Sequence, residues 1–244
     1  MLFGINLTEI LMFPLKDAEA RKHFLIATLV VFVSFIIPIV PYLALLGYAA
    51  LIAQQVLRGE TPRMIPWEDW GGMLTNGLKL FGARLIYSLP IILLVAPIMI
   101  ASFVLPFVAT EMNSRDAETL VILTSLVIFG SMCFIVPVSL VLGVIIPVAE
   151  VHVVEKGEFA AAFQLKAWWS IFRANVPGFI AAIVIYYIAS MLLGIIMQIL
   201  VATFILACLL IIFVPAMTAY LTLVMYAAVA IAYRDGREKL AQTA

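Results

Sequence analysis

Charge is what this sequence has least of. Asp, Glu, Lys and Arg make up 11% of 244 residues, fourteen basic against fourteen acidic, where a soluble domain carries about a quarter. With no net charge, no global field points to nucleic acid or to an acidic substrate. Cysteine is nearly absent as well. Cys133 and Cys208 both sit inside apolar runs, too few for a disulfide framework or a metal ligand set, and read as small buried hydrophobes. There is no Gly-rich phosphate loop, no HExxH and no cysteine pair at metal spacing. The two histidines, His23 and His152, have no serine or cysteine near them in a nucleophile setting. No catalytic, cofactor-binding or metal residue is expected, and enzyme activity is set aside. The start, "MLFGINLTEILMFPLKD", lacks the basic n-region and cleavage site of a signal peptide, so the first hydrophobic span should stay in the mature protein.

What fills the space is apolar: 66% of the residues are hydrophobic and the mean hydropathy is +1.20. The runs are unbroken, where a membrane β-barrel would alternate apolar and polar residues. The expected class is all-α, a polytopic transmembrane helix bundle of about five or six segments with amphipathic helices in the interface. Four blocks stand out, Phe24–Leu57, Leu85–Thr110, Leu120–Val154 and Val176–Tyr233. They divide a single integral membrane domain, 1–244. An N-terminal interfacial segment (1–23) precedes a first block (24–57) that is a re-entrant hairpin or a kinked span. Then come an interfacial helix (64–82), a span (83–110), a long kinked span (118–156), a second interfacial helix (158–175), two spans (176–234) turning near Gln198–Cys208, and a tail (235–244).

A weak repeat runs through these blocks. "FIIP", "FIVP" and "IFVP" end at Pro38, Pro137 and Pro215. About twenty residues after each comes a charged glycine: Arg58-Gly59-Glu60, Lys156-Gly157-Glu158, Asp235-Gly236-Arg237. A glycine past a helix end is the left-handed stop, and a basic neighbour suits the negative end of the dipole. The spacing therefore predicts three helices of one design, a proline kink in mid-membrane followed by a charged stop.

After the first two stops comes an amphipathic stretch. At 100° per residue Trp67, Trp70, Leu74, Leu78 and Phe81 share one side and Glu68, Thr75, Asn76 and Lys79 the other. In "EFAAAFQLKAWWSIFRAN", Leu165, Trp168, Trp169 and Phe172 gather opposite Lys166, Ser170 and Arg173, with Phe159 and Phe163 spoiling the polar side. Both read as helices in the interface, with Trp67, Trp70, Trp168 and Trp169 as anchors at headgroup depth. At the N-terminus Asn6 and Glu9 form a capping pair.

Basic residues decide orientation. If the first block turns back at "PIVP", thirteen of the fourteen lie on one side and Arg115 alone on the other. The positive-inside rule then places both termini in the cytoplasm. A single crossing divides the charges less cleanly but gives fuller spans, since each hairpin arm falls short of about 20 residues.

Two ionisable residues stand near the end of the third block. Glu150 and His152, two residues apart, point about 200° away from each other on a helix and cannot chelate one ion together. Either the helix overshoots the bilayer and both are wet, or they are buried with a basic or hydroxyl partner from another segment, Arg58 or Lys79 being the candidates for Glu150.

The stretches "FPLKD", "GYAALIAQQVLRGE", "PWEDWGGMLTNGLKL" and "LIYSLP", in this order, resemble the prokaryotic domain-of-unknown-function family 4013. "EVHVVEKGEFAAAFQLKAWWSIFRANVPGF" is similar to that family's second interfacial segment. The resemblance implies a multi-pass protein of the cell membrane and assigns no activity and no functional residues. The partners expected are the lipid bilayer and other membrane-protein subunits, with no nucleic acid. Two functions fit: a non-enzymatic scaffold or accessory subunit of a membrane complex, and a carrier or flippase for lipid or another apolar small molecule. The second draws on proline-broken helices, which often line transport sites.

Overall fold

The computed structural model describes residues 6–243, without the side chains of Ser114, Phe204, Ile205 and Thr243; the first five residues of the expected N-terminal segment lie outside it. Every regular element among these residues is helical. In chain order the α-helices are α1 (Leu7–Met12), α2 (Ala18–Val33), α3 (Val40–Leu57), α4 (Trp70–Thr110), α5 (Ser114–Lys156), α6 (Leu165–Ala174), α7 (Val176–Ala202) and α8 (Leu210–Thr243). Five of these, α3, α4, α5, α7 and α8, are long and apolar enough to cross a membrane. The protein is an all-α, multi-pass membrane bundle.

The single domain expected over 1–244 resolves into two compact units, Met1–Ala83 with Pro147–Ala244, and Arg84–Ile146. In the first unit α8 is the central element, packed by α2, α3, α6 and α7. Its buried surface is rich in alanine (Ala219, Ala227, Ala228, Ala230, Ala232), and α3 answers with Ala44, Gly47, Ala49, Ala50 and Ala53. Small residues matter here because lipid tails are as apolar as leucine: helices in a bilayer associate through close van der Waals approach. The second unit buries nothing. No residue with a described side chain between 84 and 146 is buried.

The repeat is only half realised. Gly59 ends α3 at φ +88° and Gly157 ends α5 at φ +72°. At the first, the Gly59 and Glu60 amides donate to the Val56 and Gln55 carbonyls; at the second, Gly157 donates to Val153 at 2.8 Å. Gly236 is no stop. α8 runs through it to Thr243, so the expected tail is helical. A Cβ at Gly236 would come within 2.7 Å of the Ile171 carbonyl, so the glycine serves the approach of α6 and not a helix end. The prolines diverge too. Pro38 lies in the turn between α2 and α3, while Pro137 and Pro215 lie within continuous helices.

Three boundaries move. The first block is two helices, α2 of 16 residues and α3 of 18, joined by a turn closed by the Ser34, Phe35 and Ile36 amides on carbonyls three residues back. The interfacial helix expected at 64–82 and the span at 83–110 are one 41-residue helix, α4. Neither proline nor a positive-φ glycine lies between Phe81 and Leu85 to stop it. Residues 60–69 before it are extended or irregular. The last block breaks at Thr203 into α7 and α8, with a tight 3-10 turn at Phe204–Leu209 between them.

Candidate functional site

The polar groups of the first unit converge where α3 and α5 end against α8. Glu150 and His152 are 0% and 1% exposed. The wet, interfacial reading of this pair is therefore wrong, and the reason is α8, which lies over this end of α5. The Tyr226 hydroxyl donates to Glu150 Oε2 at 2.8 Å. Neither expected partner serves Glu150: Arg58 pairs with Glu60 at 3.4 Å, and Lys79 donates to the Gly157 carbonyl at 2.8 Å. Its phenol partner comes from a helix 76 residues further on.

His152 enters a chain of contacts. Its Nδ1 meets the Tyr233 hydroxyl, and Nε2 lies 3.5 Å from the Gln164 side-chain amide. Tyr233 donates to Glu155 Oε2 at 2.6 Å, and Glu155 Oε1 accepts from Arg237 Nη1 at 2.7 Å. A phenol has one proton. Because Tyr233 gives it to Glu155, the contact with His152 has Nδ1–H donating to the phenol oxygen.

The chain goes on to α3. Arg237 Nη2 donates to the Leu57 carbonyl at 3.3 Å and Arg234 Nη1 to the Val56 carbonyl at 3.5 Å. These carbonyls are among the last of α3, which have no partner inside the helix, and cations suit the negative end of its dipole. On the other side of α8, the buried Asn175 donates to the Ala232 carbonyl at 2.9 Å and accepts from Lys239 Nζ at 2.6 Å. What the arrangement does chemically is lock three helix ends together through groups that satisfy one another.

The four tryptophans divide. Trp67 and Trp168 are buried in protein and are not membrane anchors. Trp67 stacks on Tyr48 at 4.1 Å between centroids and donates from Nε1 to the His23 carbonyl at 3.1 Å. Trp168 donates to the Ala162 carbonyl at 3.0 Å. An indole N–H buried this way needs a partner, and each has a backbone one. Trp70 and Trp169 remain exposed, each at 44%. Tyr226, Tyr233, Glu155 and Arg237 escaped the sequence reading. Their trace is two tyrosines seven residues apart on an apolar helix, the second of them just before the charged stretch Arg234–Arg237.

Among the described residues no group of three or more His, Cys, Asp or Glu is placed to hold a metal ion. Compared with known proteins, the chain matches no curated protein and no solved structure. The profile of the family described as "Protein of unknown function (DUF4013)" matches residues 30–202, from within α2 to the end of α7. With that much of its length matched, the chain belongs to the DUF4013 family, as a multi-pass membrane protein.

Proposed function

We propose that this protein is a non-enzymatic scaffold or accessory subunit of a membrane complex, held in the cell membrane with both termini in the cytoplasm. The observation that carries the proposal is the second unit. Between residues 84 and 146 no described side chain is buried, while Phe103, Phe107 and Phe129 are among its most exposed residues. Apolar surface of this extent is covered by whatever lies beside it in the bilayer, and a partner helix fits it as well as lipid. In the first unit, by contrast, the polar residues of the helix-end cluster are engaged with one another, as in a structural lock.

The orientation has support of its own. Glu150 pairs with Tyr226 and Glu155 with Tyr233, so the last turns of α5 and this part of α8 run in the same direction. Arg234 and Arg237 reach the end of α3, and Trp67 beyond α3 reaches back to His23 near the start of α2. The basic residues flanking these ends thus gather on one side, which the positive-inside rule makes cytoplasmic.

The test is photocrosslinking in native membranes, with a photoreactive amino acid at Phe103, Phe107 or Phe129 in turn, followed by mild-detergent purification. The expected result is a crosslink from these positions to one stoichiometric membrane protein. Labelling of lipid alone at all three, together with purification as a lone chain, would overturn the subunit role and favour the carrier or flippase.

A further inference from the structure

Within the second unit, a groove runs between α4 and α5. Leu105, Pro106 and Ala109 line it from one side and Val121, Thr124 and Ser125 from the other, around a volume of about 230 Å³. Its hydroxyls are spent. Ser102 donates to the Ile98 carbonyl, Thr124 to Leu120 and Ser125 to Val121, each at 2.8 Å. The groove therefore offers no free side-chain donor to an occupant, which suits an apolar chain. Its lining extends along α5 from Leu120 to Ile128. At helical rise that is about 12 Å, most of the roughly 15 Å of hydrocarbon in one leaflet.

The chain beyond one end of the groove is charged. Ala109 and Leu120, at that end of the lining, bracket Glu111 in the connection and Asp116 and Glu118 in the first turns of α5, against a single basic residue, Arg115. Asp116 is taken up by Asn113, whose Oδ1 accepts its amide at 3.0 Å and whose amide nitrogen reaches its carboxylate. Glu111 and Glu118 are exposed. Two unspent carboxylates and one guanidinium complement a headgroup that carries an ammonium and a phosphate, and repel one that is only anionic.

We propose that this groove holds an acyl chain of one membrane lipid with a zwitterionic, amine-bearing headgroup, the ammonium meeting Glu111 or Glu118. The assignment is independent of the subunit role: a scaffold and a carrier could each hold such a lipid.

Native mass spectrometry of the purified full chain tests it, with dioleoyl phosphatidylethanolamine and dioleoyl phosphatidylglycerol added separately to the detergent. The expected result is one retained phosphatidylethanolamine, favoured about fivefold or more, the scale of one charge at a membrane surface. Ala109→Leu and Ser125→Leu, each filling the groove, should abolish that retention. Phe129→Leu, outside the lining, should keep it. Glu111→Lys combined with Glu118→Lys should turn the preference toward phosphatidylglycerol. Should the filling variants fold poorly, a phosphatidylethanolamine with a diazirine on its acyl chain reads the same contact on the unaltered protein, labelling 102–109 and 120–128. Equal retention by the filled variants, no preference between the two lipids, label spread evenly along both helices, or a second copy of the chain in place of the lipid would each overturn the assignment.

Discussion

Gly47 of α3 and Gly77 of α4 are each pressed against the other helix's backbone. A Cβ at Gly47 would overlap the Met73 carbonyl, and a Cβ at Gly77 would overlap the Leu43 carbonyl. The two contacts are reciprocal and one helical turn long on each side, Leu43 to Gly47 and Met73 to Gly77. Backbone against backbone leaves no rotamer through which a methyl could escape. Gly47→Ala and Gly77→Ala should each destabilise by about 1–3 kcal/mol or more, the range for overpacking, read as a lowered thermal midpoint in detergent. At the helix stop Gly157 a Cβ meets nothing, and only the positive φ opposes it. Gly157→Ala should cost less, about 1 kcal/mol. If all three shift the midpoint equally, the crossing is looser than described.

Glu150 gives the second prediction. Its carboxyl group is buried and accepts the hydrogen bond of the Tyr226 hydroxyl. Glu150→Gln changes the acceptor of this buried hydrogen bond and should lower the thermal midpoint by more than a few degrees, since a buried group left poorly matched costs about 1–3 kcal/mol. Tyr226→Phe should act in the same direction. An unchanged midpoint in both would mean that this carboxylate is wet after all.

The class and span count were legible because they rest on local quantities: apolar run length, and glycines beside charges at Gly59 and Gly157. Asn6 was legible for the same reason, and its side chain accepts from the Glu9 amide at 3.4 Å. What failed depends on distant partners. Whether Glu150 is wet depends on Tyr226, 76 residues on, and whether Trp67 faces lipid depends on the His23 carbonyl, 44 residues back. Gly236 looked like the other two glycines because a motif cannot tell a helix end from the close passage of α6. On α4 the wheel missed the packed face. Trp70 and Leu78 are exposed, while Met73, Gly77, Leu80 and Ala83, which it assigned to neither side, are buried.

The chain from His152 to Arg237 should behave as a unit. Tyr233 holds both His152 and Glu155, so Tyr233→Phe and Glu155→Gln should not add. A double-mutant cycle on unfolding free energy is expected to give a coupling of about 1 kcal/mol or more, as for groups in one network. Additive effects would reduce the chain to coincident neighbours.

Topology is checked by cysteine accessibility in intact cells. In a background of Cys133→Ala and Cys208→Ala, Thr8→Cys and Gln242→Cys should both resist an impermeant thiol reagent until the membrane is opened. With both termini proposed to be cytoplasmic, the lone basic residue Arg115 falls on the other side, so Asn113→Cys should label from outside. Outside labelling of Thr8→Cys would restore a single crossing for residues 24–57.

The division of the tryptophans can be read by fluorescence. The protein has four, Trp67, Trp70, Trp168 and Trp169, so four single-tryptophan variants cover them. In bilayers of brominated lipid, Trp70 and Trp169 should be strongly quenched, because their rings are exposed and indoles favour the membrane interface. Trp67 and Trp168 should be quenched weakly, because protein surrounds them and their N–H groups are bound to carbonyls. Stability should divide the other way. Trp67→Ala and Trp168→Ala remove buried aromatic rings and should cost about 3–5 kcal/mol, whereas Trp70→Phe and Trp169→Phe should leave the thermal midpoint nearly unchanged. Strong quenching of Trp67 would return it to the role of membrane anchor and detach it from Tyr48 and His23.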